Sequence, residues 1–288
     1  MASNETESIW PSDHSTVLAI VAAVLYLVPT CILFWQTVIR YRSWFFSCVV
    51  FGSGLEVGGY IARAVSTRQV DKIPPYAVQS SLVILAPIFI AAGNYLLIGR
   101  LIRAVLLPSK HRILGIRADR ITRTFVICDI ISFLIQVSGS GLASSGDWEG
   151  DTATTGINVL ISGLAAQVAT FAFFLLILAS FHAQTVQHTR RSVPRGWQRI
   201  FIAISISSTL IMVRCVYRVV EFAMGIDGYP FTHEWMFYIF ESLPMLPAIA
   251  VFCSFHPAEC LGSHGGREKE ESSDPVSDLA LTNKSEVA

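Results

Sequence analysis

The chain has 288 residues, of which 52% are hydrophobic and only 15% are charged, and its mean hydropathy is +0.54. Soluble domains carry about 25% charged residues, so this composition excludes an ordinary soluble domain and indicates that lipid is the solvent. The formal net charge is zero. Membrane topology accounts for the basic residues, which are concentrated in loops, so we predict no nucleic-acid partner.

Long apolar stretches make up most of the sequence. A helix that crosses the hydrocarbon core needs about 20 predominantly apolar residues. Seven stretches meet this requirement: 17–38, 44–65, 77–99, 124–143, 155–181, 200–222 and 235–255. We therefore predict an all-α fold, a seven-transmembrane-helix bundle over residues 17–255. The N-terminal segment 1–16 precedes it, and the polar tail 256–288, which we predict to be disordered, follows it.

The positions of the basic residues predict the orientation of the bundle. The loops 39–43, 100–123 and 182–199 contain thirteen Lys and Arg residues, whereas the N-terminus and the loops on the other side contain two. Because Lys and Arg are concentrated on the cytosolic side of membrane proteins, we predict an exterior N-terminus and a cytosolic C-terminal tail. The sequence Asn4-Glu5-Thr6 matches the acceptor pattern for N-glycosylation at Asn4 and agrees with this orientation.

Seven charged side chains interrupt the apolar stretches: Asp129 in the fourth, and three acids and three arginines in the second, sixth and seventh. Each would cost about 3 kcal/mol near mid-membrane if it were unpaired, so they must pair or line water. Helical spacing puts the two in the second stretch on one face, and the three in the sixth stretch on one face. We therefore predict a neutral cluster between the second, sixth and seventh helices, in the outer half of the membrane. The six residues are Glu56, Arg63, Arg214, Arg218, Glu221 and Glu241.

The predicted cluster has two interpretations, which are compatible with each other and which the sequence leaves open. It can be an ion-pair network that fixes helix packing, or a polar pocket for the headgroup of an amphiphile. In the second case the acids meet an amine of the substrate, the arginines keep the acids ionised, and Gln136 and Gln167 add hydrogen bonds. Asp129 is predicted to lie apart, in the inner half of the membrane, and is a candidate for a proton-binding or gating role.

Small residues and prolines predict where the helices depart from regular packing. Gly54 and Gly58 form a small-xxx-small step, with Gly59 beside them, which permits close helix approach next to Glu56 within the bundle. Pro87 in the third helix, and Pro244 and Pro247 in the seventh, free backbone carbonyl groups and allow a kink or hinge. We therefore expect close packing of the second helix and bending of the other two.

Several classes of seven-helix protein are excluded. A retinal protein needs a lysine inside a helix, and an ATP hydrolase needs a GxxxxGK[ST] phosphate loop; the sequence has neither. The Asp-Arg-Tyr and Asn-Pro-x-x-Tyr motifs of G-protein-coupled receptors are missing from the third and seventh helices. His182, His256 and Asp129 give poor support for a three-ligand zinc site. We therefore predict no metal, no cofactor and no enzymatic activity.

Polar and small residues follow a fixed order across six of the predicted helices. They are Glu56-Val-Gly-Gly-Tyr60-Ile-Ala-Arg63; Gln79, Leu85-Ala86-Pro87, Ala91-Ala92, Tyr95 and Gly99-Arg100; Phe125, Asp129, Ser132, Gln136 and Gly139; Gly163 and Gln167; Arg214, Tyr217-Arg218 and Glu221; and His233-Glu234, Phe240-Glu241, Pro244-Met245 and His256-Pro257. In this order the chain resembles, over residues 17–257, the fungal lipid-translocating exporter family, the seven-helix proteins named for resistance to aminocholesterol. One departure is Ala258, where the family pattern leads us to expect Gly.

The resemblance implies a fungal protein of the plasma membrane, or of another endomembrane, whose partners are membrane lipids and an amphiphilic small molecule. It implies export or transbilayer movement of sphingoid bases, tolerance of amphiphilic toxins and, in one branch, porphyrin movement. We therefore predict a membrane exporter of lipid-like amphiphiles that confers resistance. The alternative is a seven-helix sensor or receptor of membrane stress, which induces resistance without transporting anything.

Overall fold

The computed structural model describes residues 16–66, 73–105, 112–113, 116–145, 150–188, 197–225 and 228–258. Within these residues, seven helices are long and apolar enough to cross a membrane. The chain is therefore an all-α, multi-pass membrane protein, as the sequence predicts. The spans, numbered 1 to 7 in chain order, are Thr16–Arg40, Trp44–Ser66, Ser81–Val105, Arg120–Ser145, Gly150–Thr185, Trp197–Ala223 and Trp235–Ser254.

The spans are built from regular α-helices with two π-helical segments. The α-helices are Thr16–Phe34, Ser47–Ser66, Ile73–Val105, Ala118–Ser145, Gly150–His188, Trp197–Ala223, Tyr229–Thr232, Glu234–Phe237 and Leu243–Ser254. The π-helical segments are Trp35–Arg40 and Tyr238–Ser242, and a 3-10 helix covers Trp44–Phe46. In the connection between spans 3 and 4, the two-residue strands Arg112–Ile113 and Ile116–Arg117 pair antiparallel.

The observed helices overlap each of the seven predicted stretches. The helix Ile73–Val105 extends past the predicted stretch 77–99 at both ends. Such extension is expected because helical hydrogen bonding continues into the polar residues that flank an apolar stretch. The glycosylation pattern at Asn4 and the tail beyond residue 258 lie outside the described residues. The exterior N-terminus and cytosolic tail stay predictions.

Span 3 is the central element of the bundle. Of its most apolar stretch, 67% is buried, compared with 28% for the corresponding stretches of spans 1 and 4. The large apolar side chains Val24 and Val28 of span 1, and Ile131 and Leu134 of span 4, are exposed. These outer faces suit contact with lipid, because apolar side chains in a bilayer need no protein partner.

Span 2 approaches span 3 through Gly52 and Gly59, and not through the predicted step of Gly54 and Gly58. A Cβ atom added to Gly52 would lie 2.9 Å from the carbonyl oxygen of Ala86, and one added to Gly59 would lie 2.7 Å from the Val83 side chain. At Gly54 nothing lies within 4 Å, and at Gly58 the nearest contact is ordinary. The prediction for Gly54 and Gly58 is therefore wrong. Positions seven residues apart share a helix face, and Gly52 and Gly59 lie on the buried face, whereas Gly54 is exposed and Gly58 only partly buried.

Span 7 changes its helix type just before its first proline. The backbone N–H of Leu243 donates to the Tyr238 carbonyl, five residues back, and closes the π-helical turn. The ring of Pro244 clashes with the carbonyl group four residues before it in a regular α-helix, so a wider turn relieves the crowding. Span 3, in contrast, continues as one α-helix through Pro87. The predicted irregularity is therefore present in span 7, immediately beside Glu241.

Candidate functional site

Five charged side chains of spans 2, 6 and 7 form one ion-pair network, called here the charged cluster. Its residues are Glu56, Arg214, Arg218, Glu221 and Glu241. Arg218 is 16% exposed, and the other four side chains are at most 6% exposed. Helical spacing puts these residues on inward faces, and the packing of three spans brings those faces together. The predicted meeting of opposite charges between these spans is therefore present in the structure.

Arg214 of span 6 lies at the centre of the charged cluster. Its Nη2 donates to Glu241 Oε1 at 2.9 Å and to the backbone carbonyl of Val83 in span 3 at 2.6 Å. Its Nη1 lies 3.8 Å from Glu56 Oε1 in span 2. One guanidinium thus connects four spans. The Val83 carbonyl, one turn before Pro87, is a partner that no charge pattern in the sequence could indicate.

Arg218 and Glu241 extend the network along spans 6 and 7. Nη1 of Arg218 donates to Glu221 Oε2 at 2.9 Å and to Glu241 Oε2 at 3.2 Å. Glu241 therefore accepts from Arg214 through one oxygen and from Arg218 through the other. The Tyr217 hydroxyl also donates to Glu221 Oε1, at 3.5 Å. Charge-assisted bonds of this kind are roughly twice as strong as neutral ones, so Glu241 is firmly held.

Arg63, the third predicted arginine, lies beside the charged cluster. Its guanidinium carbon is 4.1 Å from the ring centroid of Phe237 and 5.4 Å from that of Tyr238, both in span 7. A cation over an aromatic face gains about 0.5–2 kcal/mol, depending on its exposure to solvent. Arg63 also adds to the positive potential at Glu241. The structure thus places all six predicted charges together, with aromatic rings as additional partners.

Glu56 is the carboxylate of the charged cluster with the weakest neutralisation. The ion pairs of the cluster join three carboxylates to two guanidinium groups. Glu241 and Glu221 have contacts of about 3 Å, whereas the only ion pair of Glu56 within the described residues is the 3.8 Å contact with Arg214. The buried atoms Glu56 Oε1 and Arg214 Nη1 have no hydrogen-bond partner among the described residues. Buried polar atoms are normally hydrogen-bonded, so a group that both donates and accepts would satisfy them.

Two stacked tyrosines lie next to the charged cluster, and the sequence did not single them out as site residues. The rings of Tyr26 in span 1 and Tyr60 in span 2 lie 5.1 Å apart, with an interplanar angle of 16°. The Tyr26 hydroxyl donates to the backbone carbonyl of Ser242, next to Glu241, at 2.5 Å. Both tyrosines are 1% exposed. The sequence feature that could have indicated them is the presence of tyrosines within apolar stretches. Aromatic side chains pack in so many membrane proteins that this feature does not identify a site.

The structure does not bring the two predicted glutamines to the charged cluster. Gln136 Nε2 of span 4 donates to Gln167 Oε1 of span 5 at 2.8 Å. In the part of the chain that the structure describes, no hydrogen bond or ion pair connects these amides to the cluster. Asp129 is also separate, and it accepts a hydrogen bond from the Tyr95 hydroxyl of span 3 at 2.8 Å. The substrate-binding and gating roles of these residues stay predictions.

The two histidines considered as zinc ligands pack at the ends of spans. The ring of His182 stacks on Phe201 at 4.9 Å, and the ring of His256 stacks on Tyr41 at 4.8 Å. Nε2 of His256 also lies 3.2 Å from the Thr37 hydroxyl. Among the described residues, no group of three or more His, Cys, Asp or Glu side chains could hold a metal ion.

Comparison with known proteins gives the same family that the residue pattern indicates. The family model described as RTA1 like protein matches residues 49–264. The chain is 37% identical to Protein RTM1 of Saccharomyces cerevisiae over 205 residues, which cover 70% of the chain and 64% of that protein. It is 34% identical to Protoporphyrin uptake protein 1 of the same yeast, with coverages of 75% and 68%.

A third relative carries a name that states a lipid substrate. The chain is 30% identical to Sphingoid long-chain base transporter RSB1 of Saccharomyces cerevisiae, over an alignment that covers 75% of the chain and 65% of that protein. The chain thus spans about two thirds of the length of these curated relatives. No solved structure matches it. Because the family model covers well over half of the chain, and because these relatives share 30% identity or more, the chain belongs to the RTA1-like family.

Proposed function

We propose that this protein moves amphiphiles with a cationic, amine-bearing headgroup between the two leaflets of the membrane and so exports them. The charged cluster binds the headgroup, and the apolar tail stays among the lipid-facing surfaces of the spans. The plasma membrane is the proposed location. The names of two relatives, a sphingoid long-chain base transporter and a protoporphyrin uptake protein, support movement of a lipid-like molecule.

The observation that carries the proposal is the incomplete pairing of Glu56 and Arg214. Their facing atoms are buried, lack hydrogen-bond partners among the described residues, and lie 3.8 Å apart. An ammonium group donates hydrogen bonds and suits the Glu56 carboxylate, whereas a hydroxyl group can accept from Arg214. An amino alcohol therefore complements both atoms.

A reconstitution experiment tests the proposal. Purified protein in liposomes receives a fluorescent sphingoid base, and the transfer between leaflets is measured by quenching from one side. A lipid of the same chain length whose amine is converted to an amide is the control substrate. We expect wild-type protein to move the amine and to move the amide much more slowly.

The matched variants are Glu56→Gln and Asp151→Asn. Glu56→Gln removes the least neutralised carboxylate, and losing one charge-assisted contact costs about 1.5–3 kcal/mol, or roughly ten- to a hundredfold in affinity. Asp151 is an exposed acid at the start of span 5, so its neutralisation should leave transfer unchanged. If wild-type protein binds the amine but transfers nothing, the result would favour the alternative function, a sensor of membrane stress that does not transport. If Glu56→Gln and wild-type protein transfer the amine equally, the charged cluster does not bind the headgroup and serves only helix packing.

A further inference from the structure

Asp129 is a buried carboxyl group outside the charged cluster. Its side chain is 1% exposed, in the first half of span 4. Oδ2 accepts the hydrogen bond from Tyr95, and Oδ1 is buried without a hydrogen-bond partner among the described residues. The ring of Tyr95 in turn packs against Phe125, Phe171 and Phe174, at centroid distances of 5.3, 6.0 and 4.6 Å.

Among the residues that the structure describes, the surroundings of Asp129 supply no counter-charge. From span 3 the titratable neighbour is the hydroxyl of Tyr95, and from span 6 it is the thiol of Cys215. Span 5 contributes the rings of Phe171 and Phe174, which pack on Tyr95. Cys128 is the titratable neighbour on the helix of Asp129 itself. Within the described residues, no ion pair joins Asp129 to an arginine.

A carboxylate in this position is expensive, whereas a protonated carboxyl is tolerated. An unpaired charge inside the membrane costs several kcal/mol, and one neutral hydrogen bond does not offset that cost. The free energy is lowered when the group binds a proton, because the charge disappears. Asp129 can therefore alternate between two forms, but the charged form requires a change of surroundings, such as entry of water or movement of a span.

We propose that Asp129 is the proton-binding site that couples the export of the amphiphile to a proton gradient, an inference that rests on the proposed function. In one conformation the carboxylate takes a proton from water on one side of the membrane. In the other conformation it releases that proton to water on the opposite side. Each transport cycle then carries one proton and one headgroup.

Span 6 provides the mechanical connection between Asp129 and the charged cluster. Cys215 is the titratable neighbour of Asp129 on span 6, and it follows Arg214 directly in the sequence. Two turns earlier on the same helix, Ser207 and Ser208 accept hydrogen bonds from the Asn94 amide, at 3.1 and 3.3 Å. Asn94 is the neighbour of Tyr95 in span 3. Seven residues of α-helix rise about 10 Å. Span 6 therefore connects the level of Ser207 and Ser208 with the level of Arg214 as one rigid element.

The test uses purified full-length protein in liposomes with an imposed pH gradient. Uphill accumulation of the fluorescent sphingoid base is measured together with lumenal pH, with and without a protonophore. We expect the gradient to drive accumulation by wild-type protein, and the protonophore to abolish it. Asp129→Asn keeps an acceptor for Tyr95 but cannot exchange a proton. We therefore expect this variant to lose the gradient-driven part of the flux and to keep downhill transfer, whereas Asp151→Asn should behave like wild type.

Two outcomes distinguish this inference from the proposed function. If wild type and Asp129→Asn both transfer the base and neither responds to the gradient, proton coupling is wrong while transport stands. If wild-type protein transfers nothing, the proposed function fails, and infrared spectroscopy decides the protonation of Asp129 independently. A carbonyl stretch of a protonated acid that disappears in Asp129→Asn, but persists in Asp151→Asn, supports the site. Its absence from wild-type spectra overturns it.

Discussion

The charged cluster and Asp129 lie in the same bundle, and their buried carboxyl groups are stabilised in two different ways. In the charged cluster, Glu241 is held by Arg214 and Arg218, with one carboxylate oxygen for each guanidinium. Asp129, in the part of the chain that the structure describes, has the neutral hydroxyl of Tyr95 as its hydrogen-bond partner. The first arrangement keeps the charge and cancels it, whereas the second favours removal of the charge by a proton.

Because of this difference, the two regions should tolerate different substitutions. Removing one member of a buried ion pair leaves its partner charged and unsatisfied, which costs more than the pair itself contributes. Replacing a neutral carboxyl with an amide of the same shape leaves no such charge. Similar substitutions should therefore destabilise the charged cluster more than the region of Asp129.

Arg214→Ala should have the largest effect. It removes the guanidinium that connects Glu56, Glu241 and the Val83 carbonyl, and leaves two carboxylates without their central partner. We expect a destabilisation of about 3–5 kcal/mol, the cost of breaking a buried ion pair from one side. The thermal unfolding midpoint in detergent micelles measures it. Arg123→Ala, at an exposed position, is the matched control and should change stability by less than about 0.5 kcal/mol.

The comparison itself is tested by Glu241→Gln and Asp129→Asn, which are nearly isosteric acid-to-amide changes. Glu241→Gln weakens two charge-assisted hydrogen bonds and should cost about 2–3 kcal/mol. If Asp129 is protonated, as we propose, Asp129→Asn loses no charge and should cost less than about 1 kcal/mol. Both are measured by the same unfolding assay at neutral pH. Equal losses in the two variants would contradict the distinction between a paired and a protonated carboxyl.

Gly52→Ala tests how much the close packing of spans 2 and 3 contributes to the stability of the bundle. The added methyl group would meet the Ala86 carbonyl oxygen at 2.9 Å, and a backbone atom cannot move aside easily. Overpacking of this kind costs about 1–3 kcal/mol. Gly54→Ala, which meets nothing within 4 Å, should match wild type or be slightly more stable, since Ala favours helix. A reversed order of the two thermal midpoints would show that spans 2 and 3 pack differently.

Tyr95→Phe should have a small effect, close to that of Asp129→Asn. It removes the hydroxyl that donates to Asp129 and leaves the ring packing of spans 3, 4 and 5 intact. Loss of one neutral hydrogen bond costs about 1 kcal/mol. Thermal unfolding of Tyr95→Phe, Asp129→Ala and the double variant forms a cycle in which each single variant removes the hydrogen bond. Additive losses would show that the two side chains do not interact.

The sequence predicted the elements of this protein because membrane helices are specified locally. About 20 apolar residues suffice for a span, and a charge within a span must face inward. The number of spans and the inward faces of Glu56, Arg214 and Glu241 follow from these two rules alone. The prediction of a close approach at Gly54 and Gly58 was wrong. A spacing of small residues shows that a helix face could pack closely, but it does not show which face packs against the neighbouring span.

The tertiary structure alone decided which partners meet across the bundle. Glu56 shares a helix face with Arg63, yet it approaches Arg214 of span 6, while Arg63 lies over Phe237. Gln136 and Gln167 pair with each other rather than with the charged cluster. Each pairing depends on the rotation and depth of two spans relative to each other. Packing of many side chains sets these quantities, and no single stretch of sequence encodes them.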